Sequence, residues 1–230
     1  MKLDFKKLGM LGAVLLGAMS LNACLDSDDA APPMQDAGFV AFYNLSPDSE
    51  ALRFFFNDHL INQEPTKYAN FFGYVPFETG NYDFSVNSEN NSLDTISLNV
   101  SKDRRYSIFA VNEFENLELV SYEDAISIPS TGKVSVRFIQ LSPDAPQLKV
   151  AVEGIENPIG NFAFKQASAF TELNELLNKD IYLIDNETQD TLLTKEVNLE
   201  NGRIYSIFSK GFINTTDEDQ ELDFQIVPIN

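Results

Sequence analysis

The sequence predicts an all-β protein: two tandem antiparallel β-sandwiches behind an N-terminal signal and an acidic tether. Three observations predict it. They are an internal repeat, an apolar alternation with a period of two residues, and turn residues spaced roughly every 8–12 positions.

The repeat divides the chain. Phe42-Tyr43-Asn44-Leu45-Ser46-Pro47-Asp48 returns as Phe138-Ile139-Gln140-Leu141-Ser142-Pro143-Asp144, 96 residues later. Arg105-Tyr106-Ser107-Ile108-Phe109 returns, with one residue inserted, in Arg203 to Phe208, and its tyrosine moves by 99. Two motifs in the same order, with spacings that differ by three residues, indicate two copies of one domain. The difference belongs in a loop, where added length costs little. The copies are read as residues 38–124 and 132–230, joined by the short Ser/Pro/Gly connector Ala125 to Gly132.

Each copy reads as strands. Val134, Val136 and Phe138 alternate with Lys133, Ser135 and Arg137, which predicts one buried and one solvated face. Leu148, Val150 and Val152 alternate likewise and end at the turn signal Glu153-Gly154. Residues 92–100, 104–114, 117–122, 181–185, 192–199 and 222–227 complete the expected strands, about seven to a sandwich. Residues 167–178, with Leu173, Leu176 and Leu177, are expected to hold a helical turn. Ser-Pro-Asp is expected at a hairpin corner: proline fixes φ, and the Asp side chain accepts from nearby amides. Tyr106 and Tyr205 each open an apolar strand after a charged turn. That position resembles the tyrosine corner of immunoglobulin-like sandwiches; the alternative is two ordinary core tyrosines.

The first 23 residues have the order of an export signal: Lys2, Lys6 and Lys7, then an apolar stretch over 8–21 that is too short to span a bilayer. Leu21-Asn22-Ala23-Cys24 resembles the lipobox of bacterial lipoproteins, with Asn22 a less usual choice at its place. Cys24 is the only cysteine. The resemblance implies cleavage before Cys24 and acylation of the new N-terminus, including palmitate-type chains. At ~0.8 kcal/mol per buried methylene, several chains hold a protein on an outer membrane essentially for its lifetime.

Residues 24–37 form an acidic, proline-containing tether with no apolar period. Within it Ser27-Asp28-Asp29 resembles the export signal that carries Bacteroidota lipoproteins to the cell surface. A plain solvated spacer on the periplasmic face is the alternative.

Composition narrows the function. Residues 1–23 hold three lysines and one aspartate, so removing them takes the formal charge from −19 to −21. Such a chain repels nucleic acid, whose binding needs clustered Lys and Arg. Nineteen Phe and eight Tyr supply enough aromatic area for cores. With Cys24 acylated no disulfide forms, so each domain holds by packing.

Catalytic signals are weak. His59, the only histidine, sits in a turn-like Asn57-Asp58-His59-Leu60. A Ser-His-Asp system or a zinc site asks for more than this chain offers. Asp217-Glu218-Asp219 reads as a solvated loop before it reads as a loose calcium site. No cofactor or metal is expected, and no enzyme. Phe54-Phe55-Phe56 forces at least one ring onto the face opposite its neighbours, which makes Phe55 the candidate exposed contact for an envelope protein or a glycan. Cover by a loop or by the other copy is the alternative. Asp94-Thr95-Ile96 and Asp190-Thr191-Leu192 both resemble the Asp-Thr-aliphatic O-glycosylation sequence of Bacteroidota.

A strand that ends Leu141-Ser142-Pro143-Asp144-Ala145-Pro146, followed by an alternating strand closing on a glycine, resembles the DUF4397 family. The first copy departs from it with Ser49-Glu50 in place of Ala-Pro. The resemblance implies extracytoplasmic, immunoglobulin-like repeats, often in lipoproteins, and no particular activity. The sequence is therefore read as a lipid-anchored, non-enzymatic surface binding or adhesion module. A structural or accessory subunit of an envelope complex is the alternative, and a hydrolase with a hidden carboxylate pair ranks below both.

Overall fold

The computed structural model describes residues 36–229, apart from residues 90, 125 and 126. The described residues contain no α-helix, only strands, loops and two 3-10 turns. The first copy contributes β1 (Ala37–Asn44), β2 (Leu52–Phe56), β3 (His59–Leu60), β4 (Phe71–Glu78), β5 (Gly80–Ser88), β6 (Asn91–Val100), β7 (Arg105–Val111) and β8 (Glu118–Asp124). The second contributes β9 (Lys133–Ile139), β10 (Leu148–Val152), β11 (Gly160–Phe162), β12 (Thr171–Asn174), β13 (Leu176–Asp185), β14 (Thr191–Leu199), β15 (Ile204–Lys210) and β16 (Asp223–Pro228).

These strands form four sheets, ordered β4-β1-β7-β8, β3-β2-β5-β6, β12-β9-β15-β16 and β11-β10-β13-β14. Advancing every strand number of the first pair by eight gives the second pair, so the two sandwiches share one topology. No sheet mixes strands of the two copies. Each sandwich has eight strands rather than about seven.

The sheets are not purely antiparallel, which corrects the expectation. β1 runs parallel to β7, and β9 parallel to β15. The cause lies at Ser-Pro-Asp. That motif is not a hairpin corner, because the chain there leaves β1 for β2 in the opposite sheet. It comes back to one side of β1 at β4, antiparallel, and reaches the other side only at β7, in the same direction, as a parallel pair requires of its long connection.

Asp48 Oδ1 accepts from the Phe114 amide at 2.8 Å. Asp144 accepts from the Ile213 and Asn214 amides at 2.8 and 2.9 Å. Each aspartate thus ties its crossover to the loop that follows the returning strand.

Residues 167–178 hold no helical turn. Leu173 and Leu176 face the second core on β12 and β13, while Leu177 points to solvent. β4 and β5 were not expected. β4 carries Gly73 and Pro76 and lacks a clean alternation; proline is tolerated there because β4 is an edge strand.

Each sandwich has its own core. Phe42, Phe54 and Phe84 meet in the first with centroids 5.3 and 5.5 Å apart. The second is more aliphatic, built on Val134, Val136, Val150, Ile181 and Leu183 around Phe138. A third cluster joins Ala41, Tyr43, Phe109 and Val111 of the first copy to Ile139, Leu141, Phe208 and Val227 of the second. The β1-β7 and β9-β15 pairs are therefore buried on both faces. This corrects the reading of β9 as half-solvated: Ser135 and Arg137, between its apolar residues, are buried as well.

Candidate functional site

The seam between the copies is built around one ion pair. Asp124, the last residue of β8, accepts from Arg137 on β9; the side chains are 0% and 3% exposed. Asp124 Oδ2 also accepts from Ser107 Oγ and from the Tyr74 hydroxyl, each at 2.7 Å. Arg137 donates to Ser206 Oγ at 2.7 Å and to the Glu123 carbonyl at 3.0 Å, with the Phe170 ring 4.7 Å away. Burial this complete needs the remaining donors and acceptors satisfied, and here hydroxyls from both copies do so. Burial, with the Asp124 charge added, pushes the Tyr74 and Tyr43 phenols well above their ordinary range. Burial likewise pushes Tyr122 up to about 12 against the opposing pull of Arg137.

An aromatic ladder runs from this seam to the surface. Tyr43 stacks on Phe109 at 4.6 Å and meets Phe208 of the second copy edge-on at 5.5 Å. On its other side Tyr43 stacks on Phe71 at 5.2 Å. Phe71 and its neighbour Phe72 lie on the edge strand β4 and are 49% and 39% exposed. Neighbours on a strand face opposite ways, so Phe71 opens on the seam side of the β4 edge and Phe72 on the other, and together they leave that edge apolar and uncovered.

Phe55 is placed less openly. It lies on the outer face of β2, opposite Leu60 and Ser85, and is half-buried, while Phe54 fills the core. Sequence reasoning missed Phe71 and Phe72, although Phe-Phe beside Gly and before Pro was the signal available. It missed the ion pair too, because a single Arg in an alternating strand reads as solvated.

His59 is exposed on β3, 5.3 Å from the Phe56 ring. Asp217 caps the short 3-10 turn at Glu218–Gln220 by accepting from the Asp219 amide. Among the described residues no group of three or more His, Cys, Asp or Glu side chains is arranged to hold a metal ion. Thr95 and Thr191 are both exposed. Asp94, beside the former, accepts from the Leu119 amide at 2.7 Å and so links the two sheets of its sandwich. Tyr205 fills the tyrosine-corner role, its phenol oxygen accepting from the Glu200 amide five residues upstream at 3.3 Å. Cys24, Ser27, Asp28 and Asp29 lie outside the described residues. No helix among the described residues is long and apolar enough to cross a membrane.

No curated protein matches the chain. Among solved structures it is similar to the tip fimbrial protein Mfa3 of Porphyromonas gingivalis with a C-terminal truncation. The identity is 9% and the TM-score 0.27, over 84% of this chain and 99% of that one. It is also similar to the fimbrial anchor protein Mfa2 of the same organism, at 9% identity and a TM-score of 0.24, over 84% and 97%. At such TM-scores neither likeness assigns a role.

The family comparison reaches further. The model described as a domain of unknown function (DUF4397) matches residues 38–151. That stretch covers the first sandwich, both Ser-Pro-Asp crossovers and the second copy as far as β10. The chain carries a DUF4397 domain at residues 38–151.

Proposed function

We propose that this chain is a lipid-anchored protein of the outer membrane, displayed at the cell surface, whose two joined sandwiches form a non-enzymatic binding or adhesion module. Support for the anchor comes from the apolar run over 8–21 and from Cys24, the only thiol. Support for display comes from Ser27-Asp28-Asp29 in the tether. The observation that carries the binding reading is Phe71, open on the β4 edge and backed by the ladder of rings in the seam, with exposed Phe72 next to it on the same edge. A rigid backing lowers the conformational cost of binding, since the contact rings are already held.

A second reading, a structural or accessory subunit of an envelope complex, is favoured by the buried seam, which makes one stiff body from two repeats. Both readings place contacts with an envelope protein at the same surface. The test is cross-linking on intact cells followed by capture of this chain. Phe71→Ser with Phe72→Ser is expected to remove the cross-linked partner that the wild type retains. Retention of the same partner by that variant, with its melting temperature intact, overturns the assignment of the β4 edge.

A further inference from the structure

The two copies meet through equivalent elements, and one place where the equivalence breaks is a recess. Lys165 of the second copy and Ala69 of the first are equivalent, 96 residues apart, with left-handed φ of 65° and 59°. Their amides donate to the equivalent carbonyls of Gln140 and Asn44 at 2.8 and 2.9 Å. Lys165 reaches across the seam and closes its half, with its ammonium 3.0 and 2.9 Å from the two Glu118 oxygens. Ala69 has no side chain to reach with. Opposite it lies an open recess of about 400 Å³, lined also by Lys195, Lys210, Asp223 and Gln225.

The polar groups there are incompletely used. Lys195 is spent: it contacts both Asp223 oxygens at 2.7 and 3.0 Å and the Phe224 carbonyl at 3.1 Å. Lys210 is 14% exposed, yet its one ion pair is a long 3.5 Å contact with Asp223. An ammonium has three protons to give, so Lys210 holds donors in reserve. Its counterpart 99 residues earlier is Val111, part of the seam's apolar cluster. The Tyr68 hydroxyl, whose ring lies 5.4 Å from the Lys210 ammonium, is buried and unpartnered. So is Gln225 Oε1, which stands opposite Phe208 as Val120 stands opposite Phe109. Orphaned buried polar atoms are uncommon in native proteins, and one in the recess lining, with another beside its Lys210, calls for a ligand.

We propose that this recess binds an acidic peptide segment of the partner, its carboxylate taken by Lys210 and Tyr68 and a neighbouring main-chain N–H by Gln225. The site sums to one positive charge, from two lysines and Asp223, in a chain whose net charge is −19. It therefore favours an anion locally, whatever the rest of the surface repels. Burial and the Asp223 charge hold the Tyr68 phenol in its protonated form, as a donor. A sugar acid is the poorer fit, because the one ring in the lining, Phe224, is buried beneath Lys195 and offers no face for stacking. Ala69 lies two residues before Phe71, so a peptide seated here continues onto the open β4 edge.

This rests on the binding reading above and names the chemistry of its partner. The test uses the full chain in detergent and a fluorescein-labelled octapeptide with two central glutamates, followed by anisotropy. The same peptide with two glutamines and a glucuronate oligosaccharide are the comparison probes. Saturable binding of the glutamate peptide is expected, weaker by about tenfold or more for the glutamine peptide and for Lys210→Val and Gln225→Val. Both substitutions install the residue found at the equivalent place in the first copy, so both should keep the melting temperature. Lys149→Met removes a half-buried lysine elsewhere, on β10, and should leave the affinity within about twofold.

Equal binding of the two peptides, an equal loss with Lys149→Met, or binding of the oligosaccharide alone overturns the proposal. If the peptide fails while partner capture still depends on Phe71 and Phe72, the recess assignment falls and the binding reading stands.

Discussion

Asp124 and Arg137, thirteen residues apart in sequence, form a fully buried ion pair that belongs to both sandwiches at once. Asp124 ends the last strand of the first copy, and Arg137 sits mid-strand in the second. The connector between them is thus bypassed by a direct electrostatic link in the seam. Removing one member strands the other without water. Asp124→Asn or Arg137→Met is expected to cost about 3–5 kcal/mol in denaturant unfolding. That is a large part of the 5–15 kcal/mol typical of a folded domain. The double variant Asp124→Leu with Arg137→Met should recover much of the loss. If the single variants unfold like the wild type, the pair does not hold the seam.

The same burial sets the response to alkali. The phenols of Tyr43, Tyr68 and Tyr74 are raised well beyond their ordinary value of about 10, and Tyr122 is raised to about 12. For a group whose folded value is raised, the stabilisation is complete below the unfolded value and is lost as pH rises through the folded one. Stability should therefore be flat up to about pH 10 and fall above it. Absorbance titration at pH 11 should show these four of the eight tyrosines still protonated in the native chain and ionised in denaturant. Equal phenolate absorbance in both states would contradict the burial assigned to them.

The two Ser-Pro-Asp crossovers should respond differently. Asp144 accepts from two backbone amides and Asp48 from one. Asp144→Ala is expected to cost about 2 kcal/mol and Asp48→Ala about 1 kcal/mol, in line with the loss of charge-assisted backbone bonds. Thermal melts of the two variants check the order, and a larger loss for Asp48→Ala would reverse it.

Much of this fold was legible because the repeat was explicit. Phe42 to Asp48 and Phe138 to Asp144 kept register, and Val134, Val136 and Phe138 declared a buried face. What stayed hidden has one cause: an interface between copies is coded by the face that a single sandwich would leave to solvent. Ser135 and Arg137 read as solvated residues until the other copy covers them. The parallel pairs were hidden because Ser-Pro-Asp has the same local chemistry in a hairpin and in a crossover. Only the amides of Phe114 and Ile213, contributed from 66 and 69 residues away, distinguish the two. For a contact the sequence pointed to Phe55, while the more open rings of the structure are Phe71 and Phe72 on the β4 edge.

The tether makes its own prediction. Protease added to intact cells should digest the wild type. It should spare a variant with Ser27, Asp28 and Asp29 replaced by Ala, which would remain on the inner face of the outer membrane. Equal digestion of both, or equal protection of both, would sink the export reading and leave the anchor standing.

The most direct test of the account is the mass of the mature N-terminal peptide from protein extracted out of whole membranes. The anchor predicts a peptide that begins at Cys24 and carries acyl chains. It also predicts that Cys24→Ala stays uncut or leaves the membrane fraction. A wild-type peptide that begins elsewhere, an unacylated Cys24, or a Cys24→Ala variant still recovered as a processed membrane protein would contradict it.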